Sequence, residues 1–198
     1  MSSRNSILDS LRQNVPPLAP LPAPINGING IRYADPIKQF EETLTVAGGT
    51  LVRATAPQDL ASALANIEVY ASAAKVASLV PGIPSRNVDL SAIEDPHDLE
   101  GIDVAIIPGK FGVAENAAVW IPGETLTPHR AIFVITQHLI LVVPASEIVD
   151  NLHQAYERIH WSPNSFGIFI SGPSKTADIE QSLVIGAHGA RSCTVILL

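Results

Sequence analysis

Two stretches of the chain carry side chains able to do chemistry. The first is Ser171 to Gly189, SGPSKTADIEQSLVIGAHG, which follows a strand-like run at Phe166–Ile170 and precedes an apolar run at Thr194–Leu198. Gly172 and Pro173 make a tight exit from the strand. Ser174 and Thr176 are each fit to cap a helix, and Lys175 with free backbone N–H groups can hold a phosphate or carboxylate at a helix N-terminus. A helix from Thr176 puts Ile179, Leu183 and Gly186 on one stripe, with Glu180 flanking it and Asp178 pointing away. Glu180 is then expected to be the more buried, paired with a cation or backbone donors. His188, between Gly186 and Gly189, lies where turn glycines let a ligand approach closely. Each residue also has a plainer role: Ser174, Thr176 and Asp178 as caps, and His188 bonded to backbone.

The second stretch is Phe111-Gly-Val-Ala-Glu-Asn116. Glu115 is expected in a loop after a buried strand, with Gly112 and Asn116 beside it. A carboxylate there can serve as a catalytic nucleophile toward an acyl group, a general base, an anchor for a ligand hydroxyl, or a tie for the loop backbone. Arg130 is either an anion clamp or a surface residue. Neither a phosphate loop ending in Gly-Lys-Ser/Thr nor G-x-G-x-x-G is present. The six histidines, at 97, 129, 138, 153, 160 and 188, lack metal-binding spacing, so no metal site is expected.

Composition narrows the setting. In 198 residues, 46% are apolar, 16% are charged, and the formal net charge is −7. That suits one domain with a sizeable core. Lys and Arg are scattered singly, so neither nucleic acid nor an anionic membrane is an expected partner. Cys193 is the one cysteine, in an apolar run, and is read as a buried, inert thiol. No run approaches the roughly 18–20 apolar residues that span a bilayer. The N-terminus lacks an apolar signal core, and a cytoplasmic protein is expected.

The elements that position these residues follow in order. Residues 1–31 read as an arm: a short amphipathic helix with Ile7, Leu8 and Leu11, then the Pro-rich stretch Val15–Pro24. It is open to docking on its own domain, a symmetry mate or another subunit, or to being a tail. Residues 32–198 read as an α/β domain. Asp35 caps a helix beginning at Pro36, and Gly48-Gly49 ends it. Strands are expected at Thr50–Ala54, Asp103–Ile107 and Ala117–Ile121, with helices from Pro57 and from Ser146. Alternating strands and helices in the last hundred residues argue for a mostly parallel sheet between helical layers.

The run from Ser171 to Glu180, with Leu183–Gly189, closely resembles the C-terminal signature of the LUD domain family, and within it the lactate utilisation protein C type. Similar features extend back through Phe111–Ile121 and Val134–Val143, covering about residues 35–198. The resemblance implies a three-layer α/β/α Rossmann-like fold of the NagB/RpiA/CoA-transferase kind. It also implies a role in bacterial oxidation of L-lactate to pyruvate beside iron–sulfur subunits, in a component that lacks the cluster cysteines; no cofactor of its own is expected. The implied pocket is formed by Gly112–Asn116, Ser174–Asp178 and His188, and takes a small anionic ligand or a partner. Homo-oligomerisation is compatible with this. Two alternatives remain: a stand-alone enzyme, either a CoA-transferase-like one with Glu115 as nucleophile or a sugar-phosphate-isomerase-like one with a carboxylate base, and a structural assembly module. The chain departs from the family pattern in two places. Lys175 stands where Arg is usual, losing the bidentate fork. Asn116, Ala117 and Ala118 replace a Thr-Gly-Thr, so the loop is expected to bind a different ligand or none.

Overall fold

The computed structural model describes residues 3–20, 30–126, 128–160, 166–176 and 183–198. In chain order its elements are α1 (Ser3–Gln13), α2 (Pro36–Val46), β1 (Thr50–Arg53), α3 (Leu60–Ala65), α4 (Glu68–Ser72), β2 (Val76–Ser78), β3 (Val104–Pro108), β4 (Phe111–Val113), β5 (Ala118–Pro122), α5 (Gly123–Leu126), α6 (Ile132–Ile135), β6 (His138–Val143), β7 (Ile148–Val149), α7 (Leu152–Glu157), β8 (Gly167–Ile170), β9 (Lys175–Thr176), β10 (Val184–Ile185) and β11 (Ser192–Leu197).

Five strands form a parallel sheet in the order β1-β11-β6-β3-β2. Its central strands are apolar on both faces, as a sheet covered on both sides requires. Side chains alternate strictly. Ala105, Ile107, Leu139, Leu141, Val143, Val195 and Leu197 enter one core, while Val104, Ile106, Ile140, Val142 and Ile196 enter the other.

The sheet order explains which element covers which face. From β1 the chain crosses to the far edge, then walks back through β2, β3, β6 and β11. Parallel crossovers are right-handed, so reversing the direction of travel moves the connections to the opposite face. The first crossover, α3 and α4, supplies Leu60 and Leu64 to one core. The return connections pack on the other, beside Phe40 and Leu44 of α2. This gives helices on both faces of a parallel sheet, the fold class read from the sequence.

The return face also carries a second sheet that the sequence reading did not foresee. Its order is β7-β4-β5-β8, with β4 and β8 antiparallel to β5. Val119 and Ile121 face the parallel sheet, whereas Phe111, Val113, Ala118 and Trp120 face Ala155 of α7.

Several local expectations change. The stretch read as a loop at Phe111–Asn116 begins as strand β4. The helix expected from Ser146 starts later: Ile148 is spent in β7, and Asn151 caps α7 by accepting from the Gln154 N–H at 3.1 Å. The helix expected from Thr176 is not found at either described end of that segment. Lys175 and Thr176 pair antiparallel with Ile185 and Val184 instead. Leu183 and Ile185, 63% and 51% exposed, have no core face to amphipathically pack on. Asp178 and Glu180, with the burial expected of Glu180, lie outside the described residues.

The domain's entry point is fixed by a polar clamp. Asp150 Oδ1 accepts from the Tyr33 N–H at 3.0 Å, and the Asn151 amide donates to the Ile31 carbonyl at 2.8 Å. Before it, α1 buries no residue.

Candidate functional site

Cavities lie at both edges of the parallel sheet. At the amino edge, where β8 meets the starts of β6 and β11, is a cleft of about 330 Å³. Its polar side chains include Ser171, Ser174, Lys175 and His188, and among the described residues none that lines it is acidic. Phe133, Leu139, Ile168, Ile170 and Ala190 give it an apolar wall.

Backbone bonds from Ser174 hold this end of the cleft together. Its N–H donates to the Ala190 carbonyl at 2.9 Å, and its carbonyl accepts from the Gly186 N–H at 2.9 Å. Gly189 packs against it so closely that a Cβ there would lie 3.0 Å from the Ser174 Cβ. Gly172 has φ +67°, and a Cβ would stand 2.6 Å from the Ala47 carbonyl oxygen. Only glycine fits that turn without strain. The turn thereby sets Lys175 against the end of α2, where its ammonium donates to the Ala47 carbonyl at 2.6 Å. A cation at a helix C-terminus complements the helix dipole. An ammonium has three donors, so this bond leaves others for a ligand.

Gly112, Glu115 and Asn116 do not line this cleft. Gly112 is buried under Phe40 and Ile148, with a Cβ projected 2.7 Å from Ile148 Cδ1. Glu115 is exposed, and its Oε2 accepts from the Leu152 N–H at 2.9 Å, tying the hairpin to the first turn of α7. The Asn116 side chain accepts from the Ala118 N–H at 3.1 Å, bridging Ala117, which sits at φ +54°. That local bond holds a non-glycine residue in a left-handed turn. The two stretches do touch: Ser171 Oγ donates to the Asn116 carbonyl at 2.7 Å. Their functional side chains, however, point to different places. Thr176 is part of the short ribbon, outside the cleft lining. Arg130 stacks over the Phe166 ring, 5.1 Å from its centroid.

The carboxyl-edge cavity is larger, about 410 Å³, lined by residues that include Ile37, Arg53, Thr55, Ala145 and Leu197. Open α/β sheets often bind ligands at this edge. Its polar groups are already engaged: Arg53 with Glu41 at 2.6 Å, and the Thr55 hydroxyl with Asp59 at 3.0 Å. The amino-edge cleft offers the less committed cation.

Sequence reasoning missed the apolar wall, because Leu139, Ile168 and Ile170 read as ordinary strand residues. It also missed the contact between His138 and Ser192, which face each other across β6 and β11 with Nδ1 and Oγ 2.8 Å apart. Burial, then the nearby Arg191 charge, lowers the His138 pKa from its usual value. Among the described residues, no group of three or more His, Cys, Asp or Glu could hold a metal ion, and no helix is long and apolar enough to cross a membrane.

Two measurements check these assignments. If Glu115 acts as a tie for α7, Glu115→Ala costs about 1 kcal/mol in urea unfolding and Glu115→Gln, which keeps the acceptor, restores most of it. A glutamine variant as unstable as the alanine variant contradicts that role. Burial pushes the Cys193 thiol pKa from 9.0 up to about 12, with Lys175 opposing weakly. The folded state thus holds a proton that the unfolded state releases above pH 9. Its stabilisation is complete below pH 9 and is lost as pH rises toward 12. Cys193→Ala should flatten the fall in stability measured over that window; an unchanged slope contradicts it.

Comparison with known proteins agrees with this architecture. The family model described as the LUD domain matches residues 83–198. "Lactate utilization protein C" of Oceanobacillus iheyensis is 30% identical over 106 residues, covering 50% of this chain and 45% of that protein. The protein of the same description from Geobacillus thermodenitrificans is 35% identical over 105 residues, covering 50% and 43%. The chain thus matches less than half the length of either relative. The crystal structure of a DUF162 family protein from Deinococcus radiodurans aligns with a TM-score of 0.55 at 19% identity, over 85% of this chain and 99% of that one. That likeness concerns the fold. With more than half its length matched by the family model, and the parallel sheet and C-terminal signature in place, the chain belongs to the LUD domain family.

Proposed function

We propose that this protein is a component, itself without an iron–sulfur cluster, of a bacterial system that oxidises L-lactate to pyruvate. Membership of the LUD domain family, together with relatives described as lactate utilization protein C, supports the reading. The observation that supports a binding role is the cleft holding Lys175, Ser174 and His188 with no acidic side chain among its described lining residues, on a chain of net charge −7. A local cation in an otherwise acidic protein favours a small anion there. In this reading iron–sulfur subunits are the partners, the setting is cytoplasmic, and neither nucleic acid nor membrane is engaged.

Leu183 and, in β10, Val184 and Ile185 are exposed on the strand paired with Lys175 and Thr176. Apolar side chains presented together on a ribbon suit a protein partner, an iron–sulfur subunit or a second copy. Catalysis by Glu115 receives no support, since its carboxylate lies outside the cleft lining and is bonded to the α7 backbone.

Deleting the gene in its native host should abolish growth on L-lactate and spare growth on glucose. Affinity capture of the tagged chain from lactate-grown cells should recover cysteine-rich iron–sulfur proteins. Normal growth of the deletion strain on L-lactate would overturn the assignment.

A further inference from the structure

The apolar stripe of α1 is left open by its own chain. The helix buries no residue, and Ile7 and Leu11 are 60% and 61% exposed. Arg4, Ile7, Leu8 and Leu11 fall at i, i+3, i+4 and i+7, so a cation heads the stripe. That spacing is the one by which an amphipathic helix lies in a groove. A helix of 11 residues is marginal in water by itself, because nucleation costs more than so few turns return. A stable α1 therefore calls for a surface to pack on. The chain is next anchored at Ile31, whose carbonyl accepts from Asn151. Residues 14–30 can span on the order of 50 Å when extended, and the prolines among residues 15–24 stiffen that span. The helix can thus reach a neighbouring molecule.

Charge indicates what covers it. Residues 1–31 hold two arginines and one aspartate, and every other acidic group of a chain of net charge −7 lies beyond them. Between β2 and β3, Glu94, Asp95, Asp98 and Glu100 are exposed beside half-buried Leu90 and Ile93. From Asn87 to Glu100 the chain has no lysine or arginine. An apolar strip rimmed by carboxylates complements an apolar stripe headed by arginine. We infer that α1 docks on a second copy of this chain, laying Ile7, Leu8 and Leu11 over Leu90 and Ile93 with Arg4 and Arg12 toward the carboxylates. Two copies that exchange arms in this way close a twofold dimer, each helix on the other's domain.

The test is sedimentation velocity of the full chain across a concentration series. The chain should dimerise reversibly with a dissociation constant on the order of 10–100 μM. Ile7→Ser with Leu11→Ser should weaken the dimer at least about tenfold. Arg4→Glu with Arg12→Glu, and separately Glu94→Lys with Glu100→Lys, should each weaken it about tenfold. Glu94 and Glu100 are chosen because Asp89 and Asp95 cap local turns through the Ser91 and His97 N–H groups. Mixing the two charge-reversed chains should restore a dimer, since each arm then meets a surface of opposite charge. Recovery on mixing also shows that both variants are folded. Failure to recover overturns residues 90–100 as the seat of the arm. A dimer indifferent to the arm variants overturns the inference. So does a chain that stays monomeric at every concentration, even if affinity capture from lactate-grown cells then recovers another protein through Ile7 and Leu11.

Discussion

The handedness of crossovers in the parallel sheet is the constraint from which the rest follows. Once β1 is at one edge and β2 at the other, the chain must return strand by strand across the opposite face. That single reversal separates the two cores. It puts α3 and α4, with Val80 and Ile83, on one side and α2 with most of the later connections on the other. The mixed sheet, α6 and the Gly172–Lys175 turn all belong to those return connections. The cleft is the space left where β8 of the mixed sheet meets the amino ends of β6 and β11.

Within this frame, the residues that looked chemical divide into two groups. Lys175, Ser174 and His188 gather at the cleft because the turn at Gly172 is jammed against the end of α2. Gly112, Glu115 and Asn116 serve the architecture: close packing under Phe40, a tie to α7 and a turn around Ala117. Lys175 spans both categories, since it lines the cleft while its ammonium caps α2. A ligand drawing on that ammonium would act on the last turn of α2 as well, so binding and helix stability are linked through one side chain.

Much of the fold was legible in the chain. Continuous apolar runs announced β3 and β11, and Asp35 before Pro36 announced α2 with its cap bond to Lys38. What misled was short-range periodicity. Ile148, Leu152 and Tyr156 are spaced as on one helix, yet Ile148 pairs with Gly112 in the mixed sheet, a non-local contact that no local pattern encodes. The residues after Ser174 carry capping side chains, but β9 and β10 pair instead of continuing as helix. The cleft was legible at its polar end, where residue type signals chemistry. Its hydrocarbon wall was not, because Leu139 and Ile170 look alike whether they face a core or a crevice.

Native-state hydrogen exchange tests the central claim most directly, namely that a rigid parallel sheet carries a marginal ribbon beside the cleft. The amides of Ile106, Ile140, Leu141 and Val195 should exchange only through global unfolding, with Val184 and Ile185 exchanging orders of magnitude faster. Protection of Val184 and Ile185 equal to that of β6, or β6 amides exchanging by local opening, would contradict it.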